Sequence, residues 1–256
     1  KSFKSFHKNV WQKIWPEYAN QKDFNELINY RGKRIDFNKI NEFKNKNIID
    51  FGSGNGSTSF AFLLRNAKHS HLVDFGKKNI EASKYYAKRL KLIKKTSFQV
   101  ADITEYKSKK KYDFVICSAV LHHLHNKKDI LKTLKKIANV CNNNAYFYVF
   151  VRGKGGMRYA IQDTCRTVFK NTDITLIRKI LMDGNISRSK ITHLVDWHKA
   201  IYLQHSPNEF ETMLKKCGFK SFRRLKGPHK NDLDINQVNS HKFSYLKFGS
   251  GELRYL

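Results

Sequence analysis

Hydrophobic positions change their period twice along the chain. Phe3, Phe6, Val10, Trp11, Ile14 and Trp15 recur at three- and four-residue steps, which puts them on one face of a helix with Lys1, Lys4, Lys8 and Lys13 on the other. Pro16 ends or bends that helix. A face of this kind packs on a domain or over its pocket, or lies on a membrane surface; packing is the commoner use and is expected here. From Asn45 to Phe150, short apolar runs at 47–51, 71–74, 96–100, 112–117 and 145–151 alternate with longer segments of helical spacing at 58–66, 78–92 and 129–140. That alternation predicts a parallel sheet wrapped by helices, each helix long enough for a right-handed crossover.

The alternation stops after Val151, where Arg152-Gly153-Lys154-Gly155-Gly156 reads as a turn. Residues 157–206 read as a helical and irregular insertion rich in aromatic side chains, among them Tyr159, Trp197, His198, Tyr202 and His205. A helix at 208–217 closed by Gly218, a strand at 219–225, and an extended pair at 242–256 turning at Gly249-Ser250-Gly251 complete the chain. The expected division is an N-terminal helical cap at 1–44 and a main domain at 45–256, with the insertion as a second cap.

A hydrophobic fraction of 40% over 256 residues is ample for a packed core. The charge changes the picture more: 50 Lys and Arg against 21 Asp and Glu leave a formal +29. A field of that sign favours anionic partners, RNA included, although a Lys-, Asn- and Ile-rich chain is also what an A+T-rich genome writes. Cys117, Cys141, Cys165 and Cys217 have neither zinc-ligand nor disulfide-framework spacing, so no metal and a cytoplasmic location are expected. No apolar run reaches the roughly 18 residues of a membrane span.

The chemistry concentrates at the ends of the apolar runs. Asp50-Phe51-Gly52-Ser53-Gly54-Asn55-Gly56-Ser57 joins the first run to a helix, and glycines there permit a tight turn and close approach of a ligand to the backbone. A dinucleotide fingerprint wants glycine at the first, third and sixth positions, whereas Ser57 holds the sixth here. Asp74 ends the second run about twenty residues on, where an acid accepts both ribose hydroxyls, and Asp102 follows the third. Asp50 beside the loop suits a cation better than a pyrophosphate.

Across residues 45 to 151 the chain resembles the class I S-adenosylmethionine-dependent methyltransferases, within the group related to quinone-biosynthesis and other small-molecule enzymes. Asp50 to Gly56 is similar to the first motif, Asp74 to the ribose-binding acid with Phe75 at the adenine-stacking position, Ala101-Asp102-Ile103 to the adenine-contacting segment, and Asp113 to Leu124 to the fourth motif with its Leu-His-His-Leu ending. The resemblance implies a doubly wound, mostly parallel, seven-stranded Rossmann-like α/β sheet with helices on both faces. It implies S-adenosylmethionine as donor, leaving as S-adenosylhomocysteine, held by Asp50, Gly52, Ser53, Gly54, Gly56, Asp74, Phe75, Asp102, Ile103 and Ser118.

The implied reaction is in-line methyl transfer to a small-molecule acceptor, with His122 and His123 as candidate bases. Asp196, Tyr202, His198 and His205 are further candidates in the cap. An RNA methyltransferase and a non-catalytic S-adenosylmethionine-binding protein are the alternatives. Val140-Cys141-Asn142-Asn143-Asn144 replaces the Pro-Gly-Gly turn usual before the fifth strand, and Asn supplies the left-handed conformation that such a turn needs.

Overall fold

The structure is a computed structural model that describes residues 3–14, 21–186, 191, 194–196, 199–229, 232, 234–239 and 242–256. Trp15, Pro16, Trp197 and His198 lie outside the described residues.

Helices α1 (Phe3–Ile14) and α2 (Gln21–Phe37) precede the alternating region: β1 (Asn47–Phe51), α3 (Ser57–Leu63), β2 (His69–Asp74), α4 (Lys77–Arg89), β3 (Thr96–Val100), β4 (Tyr112–Ser118), α5 (Lys127–Asn139) and β5 (Cys141–Arg152). Then come α6 (Met157–Phe169), α7 (Ile174–Asp183), α8 (Pro207–Lys216), α9 (Ile235–Val238), α10 (Ser244–Phe248) and β6 (Glu252–Tyr255). The strands order as β3-β2-β1-β4-β5-β6, all parallel except β6, which runs antiparallel to β5. The order reverses between β2-β1 and β4, so a crevice opens at the carboxyl ends of β1 and β4.

Both faces of the sheet are covered. One cluster joins Ile49, Phe51, Val115 and Cys117 to α5 and α8, and the other joins Ile48, Phe114 and Ile116 to α2 and α3. Central strands buried on both faces explain why β1 and β4 read as unbroken apolar runs. Helix starts follow local chemistry: Asn126 caps α5 by accepting from Asp129 N at 2.9 Å, and Ser206 caps α8 through Glu209 N at 3.3 Å.

Among the described residues, six strands stand where seven were expected. The segment at 219–225 is not a strand; its one β-bridge among the described residues is Arg224–Tyr255, beside which Leu225 N donates to Arg254 O at 2.9 Å, and Phe219 stacks on Phe147 of β5. The extended pair at 242–256 is a helix followed by one strand. Gly249 N donates to Tyr245 O at 2.7 Å and ends α10, and Ser250 N and Gly251 O then tie to Lys154 O and Gly153 N. The Gly-Ser-Gly segment therefore docks on the turn after β5 instead of joining two strands. At 142–144 the chain has already entered β5: the six residues from Cys141 to Tyr146 lie opposite the three from Tyr112 to Phe114, and Asn144 takes the left-handed conformation at φ 63°. The left-handed asparagine is as expected, but it sits in a bulge.

A third cluster packs Val10 and Trp11 of α1 against Ile174 and Ile177 of α7 and Ile191, Val195 and Ala200. The N-terminal helix and the insertion thus form one roof over the carboxyl ends of the strands.

Candidate active site

Beneath that roof lies a cavity of about 770 Å³. Its floor is the loop after β1, where Gly52, Gly54 and Gly56 have φ of 68°, 56° and 84°. Gly52 N and Ser53 N both donate to Val73 O, at 2.8 and 3.1 Å, which folds the loop back on β2. A Cβ on Gly52 would run into Val120 Cγ2, and one on Gly56 would lie 2.6 Å from Phe60 Cζ. Side chains larger than hydrogen are excluded there by conformation and by space.

Asp74 locks this loop to the next. Its Oδ2 accepts from Gly54 N at 3.0 Å, and its Oδ1 accepts from Gly76 N at 2.8 Å and from Asn79 Nδ2 at 3.0 Å. A carboxylate has about four acceptor positions, so three are taken and one remains. Burial raises the Asp74 pKa against the pull of those donors. Asp50 is 2% exposed, accepts from Ser59 Oγ at 2.7 Å, and is pushed up to about 7, first by burial and then by the Asp74 charge. Asp102 accepts from Thr104 N and Oγ1 at 2.8 Å each and from Lys4 Nζ of the roof at 2.8 Å. Burial would raise its pKa, and the Lys4 and Thr104 donors reverse this to a net lowering.

The cavity wall includes Gly52, Ser53, Gly54, Asp74 and Phe75 on the β1–β2 side, and Asp102, Ile103, Ser118, His122 and His123 toward β3 and β4. Asp50 and Gly56 sit behind the wall. Past Ser118 the chain enters the left-handed region at Ala119, φ 64°, an unfavourable place for a residue with a Cβ. A short 3-10 turn at Leu121–His123 follows.

The two histidines have defined tautomers. Arg152 N donates to His122 Nδ1 at 2.9 Å, so the His122 proton is on Nε2, which lies 3.1 Å from His123 Nε2. His123 Nδ1 lies 2.9 Å from Ile201 O, a pure acceptor, and so carries the other proton. The chain of donors runs from Arg152 N–H to His122, from His122 to His123, and from His123 to Ile201 O. Burial is the leading cause that lowers both pKa values, His123 to about 3. Both rings are neutral near pH 7, and both lone pairs are engaged.

The sequence reading missed much of the wall. Trp11 and His7 close it from α1, Tyr30, Arg31 and Arg34 from α2, Arg152, Arg158 and Tyr159 around the start of α6, and Glu252 and Arg254 from β6. Distant elements supply these; periodicity had put Trp11 on a packing face and composition had put Tyr159 in the cap, but neither periodicity nor motif spacing marks the others. Asp196, read only as a secondary candidate, accepts from Tyr202 OH at 2.5 Å, and burial pushes it up to about 7. Ser53 Oγ, Asn55 Nδ2 and Arg31 Nε are sealed from solvent without a hydrogen-bond partner. Orphans of this kind beside a glycine turn mark where a polar ligand would complete the bonding. Among the described residues, no three His, Cys, Asp or Glu side chains are arranged to hold a metal ion.

Comparison with known proteins agrees with this geometry. A family described as a methyltransferase domain matches residues 42–218. The ubiquinone biosynthesis O-methyltransferase of Pelagibacter ubique (strain HTCC1062) is 28% identical over 223 residues, covering 82% of this chain and 81% of that protein. A candidate O-methyltransferase from Nostoc punctiforme superposes with a TM-score of 0.56 at 16% identity, over 84% of this chain and 56% of that one. Mitomycin 7-O-methyltransferase MmcR gives 0.52 at 17% identity, over 85% and 56%. These two structures share the fold, and the chain spans just over half their length.

Proposed function

The chain belongs to the methyltransferase-domain family, as a class I enzyme using S-adenosylmethionine, and from that premise we propose that it methylates an oxygen of a small-molecule acceptor. The observation that carries this reading is one continuous cavity with the glycine loop, Asp74 and Asp102 at one end and His122, His123, Asp196 and Tyr202 at the other. Its volume of about 770 Å³ lies within the roughly 300–1,000 Å³ usual for small-ligand sites. The resemblance to the Pelagibacter enzyme supports oxygen as the accepting atom.

The residues present fit the donor. Asp74 keeps one acceptor position for a ribose hydroxyl, Phe75 and Ile103 supply apolar surface for a purine, and Gly52, Ser53 and Gly54 leave room for the chain that ends in the sulfonium. Asp50 places negative charge behind that chain, and Arg31, with its orphaned Nε, is the partner for the donor's carboxylate. When bound, S-adenosylmethionine supplies a methyl group activated by a positively charged sulfur.

The protein's own work is alignment and proton handling. A roof of α1 and the insertion excludes water and holds the reactants in line, an effect worth about 7 to 11 kcal/mol of barrier at best. A hydroxyl acceptor also gives up a proton. His122 and His123 line the transfer region, but His123 acts as base only if its bond from His122 opens. Asp196, near pH 7 in its titration and oriented by Tyr202, takes the proton without that rearrangement.

An RNA acceptor would rest on the +29 charge alone, whereas the roofed cavity supports a small molecule. Four free cysteines support a reducing compartment such as the cytoplasm, and among the described residues no helix is long and apolar enough to cross a membrane. Calorimetric titration with S-adenosylmethionine and S-adenosylhomocysteine tests the donor reading. Micromolar binding of both is expected, and binding of neither refutes it. RNA binding that falls steeply with salt, beside RNA methylation, would overturn the small-molecule reading.

A further inference from the structure

The donor leaves one wall of the cavity unexplained. Arg152 at the end of β5 and Arg254 in β6 both line the cavity, and each is 3% exposed. Strand register puts Ser118, Phe150 and Arg254 side by side on β4, β5 and β6. Arg254 therefore stands two strand spacings, roughly 10 Å, from the β4 tip. Its guanidinium lies over the Phe150 ring at 3.8 Å, and that of Arg152 over the Tyr159 ring at 4.1 Å.

Each arginine has a counterion and an unspent donor. Arg254 Nε and Nη2 both donate to Glu252 Oε2, at 3.1 and 2.7 Å, while its Nη1 has no partner. Arg152 Nη1 donates to Asp163 Oδ1 at 3.1 Å and Nη2 to Tyr159 O at 3.2 Å, while its Nε has none. Arg34 is paired to Asp232 and Tyr30 and keeps an orphaned Nη1. Burial lowers the Arg31 pKa, and the nearby charges of Arg34 and Arg254 lower it further. Arg31, Arg34, Arg152 and Arg254 thus share the wall with Glu252 and Asp196, with Asp163 and Asp232 behind it. The single donor carboxylate is met by Arg31. Arg152 and Arg254 each keep a buried donor that no acceptor of the described chain meets.

We propose that the methyl acceptor carries an oxyanion, a carboxylate or a phosphate ester, held by Arg152 and Arg254. This rests on reading the cavity as the methyl-transfer site. The acceptor's body then lies along Phe150, Tyr159 and Tyr202, with its reactive oxygen turned toward the β4 tip and Asp196. A neutral acceptor would offer those buried arginine donors only bonds to uncharged oxygens, which are weaker than bonds to an oxyanion.

The test uses the full chain saturated with S-adenosylhomocysteine, titrated with benzoate, phenyl phosphate and the neutral benzoate isostere benzamide. The anions are expected to bind about tenfold or more tightly than benzamide, as charge-assisted bonds to arginine require. Benzoate binding more tightly than phenyl phosphate assigns a carboxylate, and the reverse order assigns a phosphate. Arg254→Gln and Arg152→Gln should each remove most of that preference while S-adenosylhomocysteine affinity stays within about twofold. The comparison of benzoate with benzamide on the unaltered chain stands even if a variant fails to fold. Equal binding of the three probes, binding of none, or a preference undiminished in folded variants overturns the proposal. Failure to bind S-adenosylhomocysteine is a separate result and sinks the donor reading instead.

Discussion

Replacing Asp74 separates what the residue does for the loop from what it does for the donor. Three of its acceptor positions are filled by Gly54 N, Gly76 N and Asn79 Nδ2, which leaves one for a ribose hydroxyl. The donor's stake is therefore one charge-assisted hydrogen bond, about 1.5–3 kcal/mol, or roughly 10- to 150-fold in affinity. Asp74→Asn keeps an oxygen for Gly76 N and Asn79 Nδ2 but turns an NH2 toward Gly54 N and loses the charge, so it should weaken S-adenosylhomocysteine by at least an amount in that range while lowering the melting temperature less than Asp74→Ala does. Asp74→Ala orphans two backbone amides and Asn79 as well, each worth about 1–3 kcal/mol if water does not reach it, and should lower both affinity and stability. Calorimetry with thermal unfolding on the same samples reads the two effects. If Asp74→Asn binds S-adenosylhomocysteine as tightly as the unaltered chain, Asp74 belongs to the loop and not to the ligand.

Asp196→Asn should cut kcat by about 10²- to 10⁴-fold and abolish an acid limb near pH 7, because Asp196 accepts a proton only when ionised and burial holds it at about 7; a limb that persists in the variant would refute the base role. Asp50 is also raised to about 7 from 3.8, so the folded state holds a proton that the unfolded state has lost, and stability from this group falls as pH rises between those values. The difference amounts to at most about 4 kcal/mol. Asp50→Asn should therefore raise stability at pH 8, measured by urea unfolding. A cationic donor near Asp50 should release a proton at pH 6.5, which calorimetry in two buffers of different ionisation enthalpy detects. Gly56→Ala should abolish donor binding or folding, since its Cβ would lie 2.6 Å from Phe60 Cζ at a φ of 84°; a stable, binding variant would contradict the loop geometry.

The glycine turn and the strand-tip acids were legible because local rules write them. A glycine turn must follow β1, acids must stand at strand tips, and each constraint falls within a few residues of an apolar run. The five parallel strands were legible for the same reason, β1 and β3 at both ends and the others to within four residues. The arginine wall was not legible. Arg31, Arg152 and Arg254 come from α2, β5 and β6, and only the register of β5 with β6 and the packing of α2 bring them together. The C-terminal hairpin failed because Gly249-Ser250-Gly251 reads as a turn between strands, while its real partner is the distant Gly153–Gly155 segment. Asp196 was visible as a residue but not as a group near pH 7, since its burial comes from the roof.

The roof itself makes a kinetic prediction. Lys4 Nζ bonds Asp102 Oδ2 at 2.8 Å and Thr104 Oγ1 at 2.9 Å, which fastens the start of α1 over the corner expected to hold the adenine. The pair is well exposed, with 59% and 30% of the two side chains accessible, so its worth is at most about 1 kcal/mol. Val10 and Trp11 stay buried against the insertion whether or not Lys4 is present, so the roof remains attached and only its edge loosens. Lys4→Ala should accordingly speed both entry and exit of S-adenosylhomocysteine by up to about fivefold and leave Kd nearly unchanged. Stopped-flow tryptophan fluorescence follows both rates, because Trp11 borders the cavity. A slower entry rate would mean that Lys4 attracts the ligand instead of closing over it, and unchanged rates would mean that the ligand does not pass beneath α1.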